Sequence, residues 1–316
     1  MKNKIGAVIV TFNRIEKLKK ALFSYESQTV VPDILIVVDN HSNDGTHEFL
    51  NSWEQTNTPM AKKVVFLAQN MGGAGGFGTG MEVALDYGVD WVWVADDDAY
   101  PANDAFEKLH AYLDSGKFSN YSVVCGAVYN TDNLIDCGHR SIECGRLIKK
   151  KVNISYSDYL QDSFLVDYVS YVGAAFNAQA LIKCGITNKK LFIYYDDTEH
   201  SYRCKKYGGI VCFPQIKITH DDGKISSVKN GNTKDISWRD YYAIRNSIYF
   251  YTRNHFFTGV YMSVIIVLSA IKKYLTGSYK LKQIELVVKA IYSGYFAKLG
   301  LDSKYRPGSN INTALN

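Results

Sequence analysis

The chain has 316 residues, of which 47% are hydrophobic and 21% are charged. This composition excludes an extended disordered chain, and the length predicts either two domains or one large domain with an appendage. The formal net charge of +5 is unevenly distributed, because residues from Ser226 onward carry 13 Lys and Arg against 4 Asp and Glu. We therefore expect the basic C-terminal part to meet an anionic surface.

The six cysteines and the N-terminal residues bear on the compartment. The cysteines show neither a CxxC pair nor a zinc-type spacing, so we interpret them as reduced, mostly buried thiols of a cytosolic protein. The apolar run from Ile5 to Val10 is too short for the core of a signal peptide and is better explained as a strand. The sequence therefore predicts a cytoplasmic protein.

Strands and helices alternate through the first part of the chain. Apolar, β-branched runs predict strands at residues 5–10, 33–38, 64–67, 91–95 and 122–129. Helical patterns occupy residues 15–28, 46–55, 72–87 and 103–115. This alternation is typical of βαβ units, and it predicts an α/β fold with a mostly parallel central sheet.

The second part of the chain is less regular. Residues 131–168 have no clean period, and we interpret them as hairpins and loops. Further strands are predicted at residues 169–175, 191–195 and 210–213, with helices starting at Ala178 and near Glu199. Residues 221–237 have the composition of a mobile surface loop, and residues 238–301 have a helical pattern.

Three adjacent carboxylates, Asp96, Asp97 and Asp98, directly follow the predicted strand at residues 91–95. Ligands of open α/β sheets bind just beyond the carboxyl ends of the strands. A divalent cation would compensate the mutual repulsion of these acids, whereas a solvated acidic loop is the alternative. If the strand geometry continues, Asp96 and Asp98 point toward the metal and Asp97 faces the other way.

Three motifs, Val10–Arg14, Asp39–Thr46 and Asp96–Asp98, follow successive predicted strands. In order and spacing they resemble the nucleotide-side motifs of family 2 glycosyltransferases with the GT-A fold. The resemblance covers roughly residues 5–250. Two further segments, Asn70–Phe77 and Tyr241–Asn246, resemble those of bacterial galactofuranosyltransferases and rhamnosyltransferases.

The resemblance implies a division of labour along the chain. A GT-A catalytic domain would span residues 1–225, with a nucleotide-sugar half at about 1–100 and an acceptor half at about 101–225. Residues 226–316 would form a mobile loop and a basic, helical C-terminal region. The donor side would comprise Thr11, Phe12, Asn13, Arg14, Asp39, Asn70, Gly73, Asp96 and Asp97. Asp39 could equally be a turn or helix-capping residue on local grounds.

The chemistry implied by the resemblance is inverting, metal-dependent transfer of a sugar. Asp96, Asp98 and His220 would bind Mn²⁺ or Mg²⁺, although a lone histidine is more often a surface or core residue. Asp196 would be the general base that deprotonates the acceptor hydroxyl, with an N-cap of the next helix as the alternative. Asp197, Gly173 and Tyr195 would contact the acceptor.

The family motifs do not fix the donor. UDP-galactofuranose comes first, because Asp196 and Asp197 after two tyrosines and the candidate ligand His220 resemble the galactofuranose enzymes. dTDP-rhamnose is the second candidate, because Tyr195 stands where galactofuranose enzymes commonly place Trp. The rival hypotheses are a non-catalytic sugar-nucleotide-binding protein and a membrane-associated assembly subunit. We expect no nucleic-acid partner, and the sequence leaves a homo-oligomer open.

The segment Phe256–Ile271 has sixteen residues without a charge, which is shorter than the about 20 residues of a spanning helix. Lysines follow it with apolar residues between them, as in helices that lie on anionic membranes. A buried helix and a dimer seam are the alternatives. With the resemblance, this predicts a peripheral protein at the inner face of the plasma membrane. Its acceptor would be a glycan or a polyprenyl-linked glycan of cell-surface polysaccharide synthesis.

Overall fold

The computed structural model describes residues 2–116, 120–222 and 236–309. The chain divides into two compact units. Unit 1 comprises residues 1–143, 151–188 and 197–223, and unit 2 comprises residues 144–150, 189–196 and 224–316. The start of the C-terminal unit is thus close to the predicted boundary at residue 226. Two short segments inside the predicted catalytic domain also belong to unit 2.

The main sheet of unit 1 has nine strands. The strands of the described residues are β1 (Ile5–Thr11), β2 (Ile34–Asp39), β3 (Ala61–Phe66), β4 (Trp91–Asp96), β5 (Ala99–Pro101), β6 (Tyr121–Tyr129), β7 (Arg140–Cys144), β8 (Lys150–Asn153), β9 (Phe164–Val166), β10 (Tyr168–Val169), β11 (Ala174–Asn177) and β12 (Gly209–His220). The main sheet has the order β3-β2-β1-β4-β11-β6-β12-β5, with β9 also paired to β12. The strands β3, β2, β1 and β4 are mutually parallel, which confirms the predicted architecture.

Helices cover both faces of this sheet. In chain order they are α1 (Ile15–Glu26), α2 (Thr46–Glu54), α3 (Gly72–Asp86), α4 (Ala105–Asp114), α5 (Ala178–Cys184) and α6 (Asp196–Cys204). Alternate residues of β1 pack into two separate cores, with Ile9 on one face and Val8 on the other. Burial on both faces explains why this strand is a continuous apolar run.

Helix α3 contains a glycine run at residues 72, 73, 75, 76, 78 and 80, and part of it has a packing role that the sequence alone does not show. A Cβ on Gly76 would lie 2.4 Å from the side chain of Val10, and a Cβ on Gly80 would lie 2.2 Å from that of Val8. These two glycines therefore let α3 pack directly onto β1. A Cβ on Gly73 would meet nothing within 4 Å. Gly73 thus faces open space, whereas Gly76 and Gly80 do not.

The predicted strand at residues 191–195 is wrong. A 3₁₀ turn at Lys189–Leu191 leads into Phe192, Tyr194 and Tyr195, whose φ angles are +70°, +65° and +64°. Left-handed backbone cannot join a sheet, and for aromatic residues it is strained. The predicted strand at residues 169–175 is replaced by two short ones, β10 and β11. Residues 131–168, predicted as hairpins and loops, contain β7, β8 and β9.

Unit 2 contains three helices within its described part: α7 (Trp238–Asn254), α8 (Phe256–Leu275) and α9 (Leu281–Tyr295). They confirm the predicted helical region. By length and composition alone, the 20 residues of α8 could cross a membrane, and 22% of its most apolar window is buried. The helix is longer than the predicted uncharged run because it continues through Lys272 and Lys273. The predicted loop at 221–237 lies largely outside the described residues.

Candidate functional site

Polar side chains meet at one edge of the main sheet. In the parallel register, Thr11 at the end of β1 lies opposite Asp39 at the end of β2. On the other side of β1, Val10 lies opposite Asp96 at the end of β4. The sequence motifs that follow these three strands are therefore neighbours, as ligand-binding residues of an open α/β sheet should be.

The loops after β1 and β2 are held together by side-chain hydrogen bonds. Asn13, with a φ of +53°, accepts a bond from the backbone N–H of Asn43 at 2.7 Å and donates its own N–H to Ser42 Oγ at 2.9 Å. The buried Asp39 accepts a bond from the Ser42 N–H through Oδ1 at 3.0 Å. Within the described ranges, Asp39 Oδ2 has no hydrogen-bond partner, so it can accept one from a ligand.

The start of α3 is fixed to the end of β2. Asn40 accepts a bond from the backbone N–H of Met71 at 2.8 Å and donates Nδ2 to the carbonyl of Gly72 at 3.0 Å. Asn70 accepts a bond from the Gly72 N–H at 2.8 Å. Beside Gly73, in the first turn of α3, there is open space, because an added Cβ would meet nothing within 4 Å. Such a helix end favours an anionic group.

Asp96, Asp98 and His220 form a cluster in which one potential ligand atom of each lies within 4.8 Å of the others. His220 is the last residue of β12, and its Nε2 lies 3.2 Å from Asp98 Oδ1. Carboxylate oxygens and an imidazole nitrogen suit a divalent cation such as Mn²⁺. The residues present therefore fit the metal that the sequence motifs predict, although they do not identify it.

Asp97 and the basic residues of α1 complete the cluster. Thr11 donates Oγ1 to Asp97 Oδ2 at 2.7 Å, so Asp97 has a partner different from those of its two neighbours. Arg14 Nη1 lies 2.7 Å from Asp98 and 3.4 Å from Asp97. Lys17 Nζ lies 3.5 Å from Asp98. The guanidinium and the ammonium together offset part of the negative charge.

Burial and the remaining negative charge shift the pKa values of Asp96, Asp98 and His220. Burial raises the pKa of Asp96 to about 7, with further contributions from the charges of Asp98 and Asp97. Burial also opposes ionisation of Asp98, but the hydrogen bond and charge of His220 outweigh it and lower the pKa of Asp98. For His220, contact with Asp98 outweighs burial and raises the pKa. An added cation would favour the ionised form of all three carboxylates.

Two basic residues near the cluster are absent from the sequence prediction. Lys17 could have been found, because it lies in the first turn of α1, three residues after the predicted site residue Arg14. His139 could not, because it lies in a stretch without a period. Its ring centroid is 5.0 Å from that of His220, and its Nδ1 lies 2.7 Å from Ser170 Oγ.

The second acidic motif falls at the boundary between the two units. Asp196 is buried and belongs to unit 2, whereas Asp197 belongs to unit 1. Asp197 Oδ1 accepts a bond from Thr198 Oγ1 at 3.1 Å. Tyr195 lies within unit 2, with its ring centroid 6.1 Å from that of Phe250. The predicted base Asp196 and the predicted acceptor contact Asp197 thus fall in different units.

Asn246 holds the strained segment that leads to Asp196. Its Nδ2 lies 2.9 Å from the carbonyl oxygens of Leu191, Ile193 and Tyr194. Arg245 donates Nη2 to the same Leu191 carbonyl at 2.9 Å. Arg245 and Asn246 belong to the segment Tyr241–Asn246 that resembles galactofuranosyltransferases and rhamnosyltransferases. Both residues thus have a structural role within unit 2.

Gly173, a predicted acceptor contact, has a packing explanation. Its φ is +70°, and a Cβ at this position would lie 2.5 Å from the side chain of Ile218. Its carbonyl accepts a bond from Arg140 Nη2 at 3.1 Å. Backbone geometry and packing in unit 1 therefore require a glycine here, and contact with an acceptor stays a prediction.

Comparisons with known proteins agree with the fold and the motifs. The profile described as "Glycosyl transferase family 2" matches residues 7–176. Galactofuranosyltransferase GlfT1 of Mycobacterium tuberculosis is 32% identical over 208 residues. The alignment covers 66% of this chain and 66% of GlfT1, which is just under two thirds of the length of GlfT1. dTDP-rhamnosyl transferase RfbF of Shigella flexneri is 26% identical over 262 residues, which cover 81% of this chain and 82% of RfbF.

Among solved structures, S. aureus TarS in complex with UDP superposes with a TM-score of 0.57 at 16% identity, covering 96% of this chain and 85% of that one. At this identity the likeness concerns the fold alone, which is the GT-A arrangement predicted from the motifs. The family match covers more than half of the chain, and it includes the strands β1, β2 and β4 that carry the acidic edge. This chain therefore belongs to glycosyl transferase family 2.

Proposed function

We propose that the chain is an inverting, metal-dependent glycosyltransferase that moves galactofuranose from UDP-galactofuranose to a glycan acceptor. The convergence of Asp96, Asp98 and His220 beside the loops that end β1 and β2 carries the proposal. The similarity to GlfT1, a galactofuranosyltransferase, supports the choice of sugar.

The donor would lie along the edge formed by the ends of β1, β2 and β4. Asp39 Oδ2 accepts a hydrogen bond from the N–H of the pyrimidine base, and the open backbone at Gly73 receives an anionic part of the donor. Arg14, whose side chain is 52% exposed, is available to contact the diphosphate. When bound at Asp96, Asp98 and His220, a divalent cation would neutralise charge on the departing diphosphate.

On the acceptor side, Asp196 is the general base. The acceptor hydroxyl attacks the anomeric carbon, its proton passes to the Asp196 carboxylate, and the bond to the nucleoside diphosphate breaks in the same displacement. The configuration of the anomeric carbon therefore inverts. Asp197 and Tyr195 contact the acceptor in this proposal.

Transfer assays test this function. Purified protein is incubated with Mn²⁺, short galactoside acceptors and either UDP-galactofuranose or dTDP-rhamnose. We expect transfer from UDP-galactofuranose that is lost in Asp196→Asn and kept in Asp104→Asn, which changes an exposed acid paired with Lys108 on α4. Transfer from dTDP-rhamnose alone would favour the second candidate, which the long alignment with RfbF supports. Equal transfer by the wild type and by Asp196→Asn would refute the role of Asp196 as the general base.

We also propose that α8 holds the protein at the inner face of the plasma membrane. The helix buries small or polar residues and exposes large apolar ones, which is the reverse of a soluble amphipathic helix. Its buried residues are Thr258, Gly259, Ser263 and Ala270. Its exposed apolar residues include Phe256, Phe257, Val260, Tyr261, Val264, Ile265, Leu268 and Ile271. Lys272 and Lys273 extend the exposed face with positive charge suited to anionic lipid.

A further inference from the structure

Unit 1 contains a second cluster of potential metal ligands, built from two cysteines and a histidine. The thiols of Cys184 and Cys204 and the ring of His200 each offer a ligand atom, and these atoms lie within 4.8 Å of one another. The two Sγ atoms are 3.3 Å apart. None of these residues belongs to the proposed transfer site.

Helix geometry brings the three side chains together. His200 and Cys204 are four residues apart on α6, so they share one face of that helix. Cys184 is the last residue of α5. Arg203 of α6 joins the end of α5, because its Nη1 donates to the carbonyl of Cys184, and its Nη2 donates to the carbonyl of Ile186 just beyond α5 at 2.8 Å. Glu199 of α6 holds the guanidinium in place by accepting from its Nε at 2.7 Å. The cluster is therefore preorganised by contacts that involve none of the three ligand side chains.

His200 has the environment of a metal ligand. The side chain is fully buried, and its ring is stacked on Phe176 at a centroid distance of 4.8 Å. Nδ1 lies 2.7 Å from the hydroxyl of Tyr171. Burial lowers the pKa of His200, whereas a backbone contact with Gly185 acts to raise it. This contact is too poor in distance or angle to count as a hydrogen bond, and among the described residues no partner meets that geometry at Nε2. A buried ring nitrogen without a partner is costly unless something binds it.

From this geometry we propose that Cys184, His200 and Cys204 bind a structural zinc ion. Nδ1–H would donate to Tyr171, which leaves the Nε2 lone pair for the metal, as is usual for ligating histidines. A tetrahedral ion with Zn–S bonds of about 2.3 Å needs about 3.8 Å between the sulfurs. The observed 3.3 Å therefore has to open by about half an ångström, which small side-chain rotations supply. With three protein ligands, a water molecule would take the fourth tetrahedral position.

Charge favours zinc over a harder cation at this position. Two thiolates and a neutral imidazole balance Zn²⁺, and soft sulfur ligands select zinc over Mg²⁺ or Mn²⁺. The ion would tie the end of α6 to the end of α5. Because α6 begins at Asp196, the metal would stabilise the helix that carries the proposed base. Zinc binding itself does not depend on the proposed transfer reaction.

Zinc content of the reduced full-length protein tests the proposal. The protein is loaded with Zn²⁺, desalted and analysed for metal by mass spectrometry. We expect about one equivalent per chain, retained in Asp98→Asn and lost in Cys204→Ser. The matched control is Cys125→Ala, which disrupts the other buried pair, because Cys125 lies opposite Cys212 in the β6–β12 register without a histidine ligand. This control should keep its zinc.

Cobalt spectra of the wild type supply a readout that needs no variant. Co²⁺ bound by two thiolates gives strong sulfur-to-metal charge-transfer absorption, which oxygen ligands at the acidic cluster cannot produce. We expect this absorption in the wild type and its loss in His200→Gln or Cys204→Ser. Reduced wild type that takes up no zinc and shows no such absorption would overturn the proposal. Isolation of a Cys184–Cys204 disulfide that binds no metal after reduction would also overturn it and indicate a redox pair.

Discussion

Replacement of Asn246 tests whether this side chain maintains the strained approach to Asp196. Its amide group contacts three carbonyl oxygens, but it has only two protons, so about two full hydrogen bonds are lost in Asn246→Ala. Each is worth about 1–1.5 kcal/mol, which gives about 2–3 kcal/mol in total. The left-handed residues Phe192, Tyr194 and Tyr195 add strain that favours opening once these bonds are gone.

Hydrogen exchange followed by mass spectrometry measures this opening. Since 1.4 kcal/mol corresponds to a factor of ten, peptides covering residues 189–196 should exchange roughly 100-fold faster in Asn246→Ala. The matched control is Asn254→Ala, which removes an amide that donates to Phe250 within its own helix, at 2.9 Å. This control should leave the segment unchanged.

A second variant tests the hydrogen-bond-donating NH₂ group of Asn246 separately from the rest of the side chain. Asn246→Asp keeps an acceptor for Arg245 Nε, which lies 2.8 Å from Oδ1, but turns an oxygen toward the three carbonyls. Its effect should be at least as large as that of Asn246→Ala. Exchange within twofold of wild type in both variants would refute the role assigned to Asn246.

Three further predictions follow from packing, charge and exposure. Gly80→Ala should lower the free energy of unfolding by about 1–3 kcal/mol, because the added Cβ overlaps Val8 of β1. Gly73→Ala should change the free energy of unfolding little, and thermal melts of both variants measure the difference. Asp98→Asn should weaken Mn²⁺-dependent UDP binding at least tenfold by calorimetry, and unchanged affinity would remove Asp98 from the metal site. Ile265→Glu with Leu268→Glu should reduce sedimentation with anionic vesicles but not with neutral ones, and equal sedimentation of wild type and variant would count against α8 as the anchor.

The sequence predicts the part of the fold in which local pattern and topology agree. β1, β2 and β4 are apolar runs between helical segments, and parallel strands place their following residues at one edge. The grouping of Thr11, Asp39 and Asp96 could therefore be inferred without coordinates. By contrast, residues 191–195 have the same apolar pattern as a strand. Their actual conformation depends on Asn246, 55 residues after Leu191 along the chain, and no local signal reports that contact.

The glycine run shows why one motif can require two explanations. Gly73 is a predicted donor-binding residue, whereas Gly76 and Gly80 are explained by contact with β1. Only coordinates separate these residues from Gly73, because every member of the run looks alike in sequence. The same limit applies to Cys184, His200 and Cys204. Zinc patterns based on paired cysteines miss a site whose ligands come from one face of α6 and the end of α5.

The charge of Asp96, Asp97 and Asp98 is compensated by basic residues that come from other parts of the chain. The sequence predicts a cation because three adjacent carboxylates need compensation. In the structure Asp98 contacts Arg14, which precedes α1, Lys17 of α1 and His220 of β12, and of these three only Lys17 was not predicted from the sequence. These contacts offset the charge of Asp98, while the pKa of Asp96 stays at about 7. The protein thus compensates the triplet only in part, so a divalent cation would add favourable charge at Asp96.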